Sequence, residues 1–262
     1  MMKRWLKRAS SVAIFFLLWE LLPRAGLVDP ILIPPLSRIL TRGVALLASG
    51  ILPAHLWASL WRVLTGFALA SGVAIPLGVV LGLLPGIEEY VDLLIQLLRP
   101  LAPPAWIPLA ILWFGIGDKP AIFIVFTGTV FAMLTGIVSA TKGLDKRLVK
   151  AGLTLGATPL QTIFHVILPA LMPAIFAQLR IGLGLAWMCV IASEMVAVRR
   201  GLGFMMIEAR NLFRTEDILL GMMVVGALGL SIDSILRFIE RRSLKWQRGL
   251  RAHELFGSGG YS

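Results

Sequence analysis

With 262 residues, 58% hydrophobic and only 15% charged, and a mean hydropathy of +0.86, the chain falls outside the composition of soluble domains and reads as an integral membrane protein. Its net charge of +11 does not mark a nucleic-acid binder, because the basic residues collect at the ends of apolar runs rather than among aromatics in one patch. A single cysteine, Cys189, and three scattered histidines, His55, His165 and His253, exclude an intrachain disulfide and support no metal centre.

The elements follow in chain order. Lys3, Arg4, Lys7 and Arg8 precede the apolar run Val12 to Leu22, which has no small-residue cleavage site behind it and predicts a retained first membrane helix carrying Glu20. Residues 23–60 predict a connection punctuated by Pro30, Pro34, Pro35 and Pro53, with an amphipathic stretch from Leu36 to Leu47 suited to an interface. In all, six segments have the length and apolarity of spans: 9–22, 62–84, 91–114, 121–140, 172–198 and 218–236. The second carries small residues at every fourth position, Ala74, Gly78, Gly82 and Gly86, a stripe that admits a neighbouring helix closely. Pro76 in that segment, and Pro100, Pro103, Pro104 and Pro108 in the next, remove backbone donors and favour kinks, which a membrane tolerates against protein or water. Such clustering points to a pathway or to bundle packing.

Between the fourth and fifth spans lies a polar interruption, residues 141–171. Lys142 to Leu155 predicts an amphipathic helix, Gly156 a turn, and Pro159 the first position of a second short helix running to Leu168, which Pro169 ends. Two helices around a glycine form a rigid projection. The last span holds Asp233, and a basic tail from Arg237 to Arg251 containing Trp246 suits a membrane surface. Several tryptophans lie near segment ends, as an interfacial belt requires.

Topology follows from the basic residues. With the N-terminus inside, the cytoplasmic side holds fourteen: Lys3, Arg4, Lys7, Arg8, Lys142, Lys146, Arg147, Lys150, Arg237, Arg241, Arg242, Lys245, Arg248 and Arg251. The opposite side holds nine: Arg24, Arg38, Arg42, Arg62, Lys119, Arg199, Arg200, Arg210 and Arg214. Both termini and the 141–171 loop are therefore expected in the cytoplasm.

The loop resembles the cytoplasmic signature of bacterial ABC importer permeases, in which E-A-A, a glycine four residues on, and a later I-x-L-P recur. Ala151, Gly156, Leu168 and Pro169 match at that spacing, whereas Lys150 replaces the acid, Gly152 the second alanine and Val166 the isoleucine. Beyond the loop, the stretch Arg99 to Gly117, then Ile191-Ala-Ser-Glu-Met195, Gly201-Leu-Gly-Phe204 and Arg214-Thr-Glu-Asp217, resemble the nitrate, sulfonate and taurine branch of these permeases.

That resemblance implies an all-α polytopic helix bundle of the type I ABC importer permease fold. It divides the chain into an N-terminal helix and interfacial connection (1–53), a permease core (54–240) and a basic cytoplasmic tail (241–262). The implied site of ATPase coupling comprises Lys150, Ala151, Gly152, Gly156, Ala157, Pro159, Leu168 and Pro169. Implied partners are a second copy of the permease, two cytoplasmic ATPase subunits, a periplasmic or extracellular substrate-binding protein and membrane lipid, in the bacterial inner membrane. ATP and Mg would sit on the partner ATPase, since this chain has no G-x-x-x-x-G-K-S/T phosphate loop and binds no cofactor of its own. The implied cargo is a small anion, taurine or an alkanesulfonate foremost and nitrate next.

Charged residues in apolar segments are functional candidates because burying them is costly. Glu194 is expected near the outer end of the fifth span, gating a pathway or binding Arg180 or Arg199. Arg99 and Arg180 suit an oxyanion, although Arg180 could also snorkel to the cytoplasmic surface. Pro104, Trp106 and Pro108 complete the pathway candidates. A secondary transporter or channel would need a carboxylate relay or an inverted repeat, and a membrane enzyme would need H-E-x-x-H or G-x-S-x-G. Neither pattern is found in the sequence.

Overall fold

The computed structural model describes residues 14–244. The basic residues Lys3, Arg4, Lys7 and Arg8, and the tail from Lys245 onward, lie outside the described residues. Within them the chain is helical, with no strand. The described part of the first helix, α1, runs from 14 to 24. It is followed by α2 (Leu36–Ala48), α3 (Ile51–Leu83), α4 (Pro85–Leu98), a 3-10 turn (Pro103–Trp106), α5 (Ile107–Phe114), α6 (Asp118–Lys142), α7 (Lys146–Thr154), α8 (Pro159–Thr162), a π turn (Ile163–Ile167), α9 (Leu168–Ala197), α10 (Leu202–Asn211) and α11 (Thr215–Ser243).

Among the described residues, four helical stretches are long and apolar enough to cross a membrane: Ile51–Leu83, Asp118–Lys142, Pro159–Ala197 and Thr215–Ser243. A fifth candidate is the pair Gly86–Leu98 and Pro103–Phe114, bent by 86°. The bend corrects the expectation of one continuous span over 91–114. Pro100 cannot donate a helical hydrogen bond, and Pro103 and Pro104 open a new helix in its first turn, where missing donors cost nothing. The second span also begins earlier than expected. Gly50 turns the chain at φ +75° and α3 starts at Ile51, with Pro53 tolerated in its first turn.

Packing centres on α3, α6 and α9. Within a bilayer apolar burial gives helices little reason to associate, so close van der Waals approach has to supply it. The small-residue stripe of α3 does this against α6. A Cβ at Gly66 would lie 2.7 Å from Val125 and one at Gly78 2.7 Å from Ile137, while Ala70 and Ala74 are wholly buried between them. The stripe therefore extends back to Gly66. It stops short of Gly86, which lies beyond the end of α3 and has open space around it.

Two apolar layers result. One, beside the 141–171 loop, joins Ala74, Met133, Ile137, Ile167 and Leu171; the other, toward the far side, joins Val63, Ile124, Leu183, Trp187 and Val190. The amphipathic helix α2 lays Ile39 and Leu46 against Leu202 and Leu220, and its Arg42 holds Asp217 at the start of α11 with Nε 2.7 Å from Oδ1. By contrast α11 leaves Met222, Leu230 and Phe238 exposed, the face that lipid or another helix covers.

Candidate functional site

The loop between α6 and α9 is built from three local devices. Asp145 caps α7, its side chain accepting from the Arg147 amide at 2.9 Å. At the other end Gly156 adopts φ +83°, its amide donating to Leu153 and the Ala157 amide reaching back to Gly152. This is a Schellman closure, and a side chain is strained at its left-handed position. Thr158 and Gln161 then form a reciprocal capping box ahead of Pro159. Lys142 to Leu155 is thus not one helix as expected, since α6 runs to Lys142 and α7 begins only after the turn at residues 143–145.

Pro169 does not end the second helix. Five residues, Ile163–Ile167, take π geometry, with the Leu168 amide donating to Ile163 five residues back. The looser turn accommodates Pro169, which has no donor and would crowd the carbonyl four residues before it. The stretch from Pro159 to Ala197 is therefore one continuous helical rod, with Pro173 inside it. Gly152 packs where a Cβ would meet Val166 at 3.4 Å and Thr162 at 3.6 Å, so the alanine of the signature would also fit. Lys150 and Ala151 are exposed, Leu168 and Pro169 half-buried. Leu155, Leu160 and Phe164 project from the tip with 87%, 67% and 57% exposure. An apolar cluster on a polar loop marks a contact surface.

At the broken α4–α5 segment a cavity of about 420 Å³ opens between the 3-10 turn, α6 and α9. Its apolar walls come from Pro103, Pro104, Phe131, Leu185, Met188 and Cys189, and among the described residues Arg99 is the one charged residue lining it. A groove of similar size continues toward the loop along α4 and α6, past Arg99, Gln96, Asp92 and Glu88 on one side and Thr135, Ser139 and Lys142 on the other. Of the expected pathway residues, Arg99 and Pro104 line this space. Trp106 instead stacks edge-on with Phe123 at 6.2 Å, and Pro108 sits exposed in the first turn of α5.

Arg180 and Glu194 lie elsewhere. Arg180 Nε donates to Asp233 on α11 at 2.8 Å, so it ties α9 to α11. Glu194, wholly buried, pairs with neither Arg180 nor Arg199; its partner is Arg62. Nη1 of Arg62 lies 2.6 Å from Glu194 Oε1, and the same guanidinium holds Asp118 at 2.6 Å and donates to the Arg200 carbonyl. Ser59 and the Gly203 amide complete the shell of the carboxylate, at 2.8 and 2.9 Å. Gly201, at φ +136°, accepts no side chain because Glu194 occupies that space. The cluster joins α3, α6, α9 and α10 at the side opposite the loop. Arg62 was legible only as an outer-loop charge while the second span was taken to begin there. Placed eleven residues inside a helix starting at Ile51, it becomes a buried cation requiring a partner.

Comparison with known proteins bears on both regions. Residues 74–245 match the family described as binding-protein-dependent transport system inner membrane component. A putative ABC transporter permease of Methanocaldococcus jannaschii is 37% identical over 260 residues, covering 95% of each chain. The taurine transport system permease TauC of Escherichia coli is 31% identical, over 90% of this chain and 88% of the relative. The bicarbonate transport system permease CmpB of Synechocystis is 31% identical over 91% of each. Among solved structures, the inward-facing MetNI methionine ABC transporter shares the fold with a TM-score of 0.60 at 19% identity, over 71% of this chain and 93% of that one.

Proposed function

Because the chain belongs to the binding-protein-dependent transport inner membrane components, we propose that it forms the translocation pathway of an importer for taurine or an alkanesulfonate, driven by a separate ATPase. The observation that carries this is the rod from Pro159 to Ala197, whose one end is the capped loop tip and whose other half supplies Leu185, Met188 and Cys189 to the cavity wall. A push on the tip reaches the cavity wall along continuous helix.

In this reading two copies pair, each docking Leu155, Leu160 and Phe164 into a cytoplasmic ATPase that holds ATP and Mg. A substrate-binding protein releases cargo on the opposite face. Closure of the ATPases tilts the rods and exchanges inward for outward access to the cavity. Arg99 is the residue that attracts the anion there. The bicarbonate relative supports a second cargo, a small oxyanion, in the same geometry.

Two measurements test the proposal. Reconstituted with its ATPase and binding protein, the permease should take up labelled taurine into liposomes only when ATP is present on the ATPase side. Uptake by the permease alone would identify a secondary transporter or channel instead. A cysteine replacing Leu155, in a Cys189→Ser background, should react in cells only with reagents admitted to the cytoplasm; reaction with an impermeant reagent from outside would reverse the proposed topology.

A further inference from the structure

Resting on the assignment of the cavity as the pathway, we propose that the α4–α6 groove is a binding site for a zwitterion, an amino-sulfonate held acid group to Arg99 and ammonium to Asp92. Glu88, Asp92, Gln96 and Arg99 recur at helical spacing and share the face of α4 that lines the groove. Glu88 is already engaged by Lys142. Among the described residues Asp92 receives only the Gln96 amide, at 2.5 Å, and Arg99 has no ion pair. One cation and one acid are thus left facing the same space.

Their order and balance select the ligand. Asp92 and Arg99 lie seven residues apart, about two helical turns, so the acid and the cation stand on the same side of the groove. The charges lining the groove, Arg99 and Lys142 against Glu88 and Asp92, sum to zero. A simple anion drawn to Arg99 meets the carboxylate of Asp92 on the same wall, whereas a dipolar molecule pairs at both ends. Thr135 and Ser139 line the opposite wall and offer hydroxyl oxygens that accept from an ammonium.

The test uses the permease–ATPase complex in lipid nanodiscs with Val138→Cys, on the groove wall, as reporter in a Cys189→Ser background. A small neutral maleimide should label the reporter, and taurine at about ten times its Kd should slow labelling about tenfold, the fraction of sites left free. Ethanesulfonate and ethylamine should protect poorly. Arg99→Gln should abolish protection by taurine, and Asp92→Asn should weaken it while letting ethanesulfonate protect. Equal protection by taurine and ethanesulfonate in the parent, or undiminished taurine protection in Asp92→Asn, would overturn the zwitterion site and leave the pathway standing. A reporter that reacts under no condition would overturn the pathway itself.

Discussion

Arg62→Ala is expected to destabilise the permease by about 3–5 kcal/mol, the cost of breaking a buried ion pair from one side. The change leaves Glu194, with no solvent exposure, facing only Ser59 and the Gly203 amide. It also strips the Arg200 carbonyl and Asp118 of their donor. Arg62→Lys should fall between the parent and Arg62→Ala, because one ammonium cannot reproduce the geometry with which the guanidinium meets Glu194, Asp118 and Arg200 together. The informative comparison is the double replacement Arg62→Met with Glu194→Leu. If the penalty comes from an orphaned charge rather than lost packing, the double variant should recover much of the stability that Arg62→Ala loses. Thermal unfolding in detergent, followed by size-exclusion recovery, measures all four. An Arg62→Ala protein that melts with the parent, or a double variant no better than the single, would refute this account of the cluster.

Gly156→Val should lower ATP-driven uptake at least tenfold while the protein still reaches the membrane and keeps its unfolding temperature. No atom lies within 4 Å of the added Cβ, so the effect is not a clash. It comes from the left-handed backbone at φ +83°, which costs a β-branched residue on the order of 1–3 kcal/mol. The loop escapes that cost by abandoning the Schellman closure, and the tip residues Leu155 and Leu160 lose their fixed relation to the rod. Gly156→Asn should retain more activity, since asparagine tolerates this conformation better than other side chains. Uptake in reconstituted vesicles and co-purification of the ATPase report the two consequences separately. Full uptake by Gly156→Val would show that the shape of the tip does not transmit force.

Much of the bundle was legible in the sequence because membrane spans are written in long runs of one character. The turn at Gly156 and the helix start at Pro159 were legible because both act locally, whereas the cap at Asp145, the Thr158–Gln161 box and the π turn before Pro169 were not read. What escaped was anything that depends on two distant segments. Arg62 and Glu194 are 132 residues apart, and no local pattern links them. Arg180 looked like an anion ligand until Asp233, 53 residues on, claimed it. The four stretches that carried the family resemblance turn out to share physical duties. Ile191 to Met195 and Gly201 to Phe204 build the Glu194 shell, Arg99 to Gly117 forms the bent wall of the cavity, and Arg214 to Asp217 supplies the partner of Arg42.

The π turn at Ile163–Ile167 holds one residue more than an α-helical turn would need there. Each residue advances an α-helix by about 100°, so this insertion sets the azimuth of Leu160 about the rod relative to Leu185 on the cavity wall. The aim of the tip is therefore encoded in the number of residues between loop and membrane. Hydrophobic substitutions within the turn leave that bearing untouched, whereas losing or gaining a single residue swings Leu160 to another side of the rod.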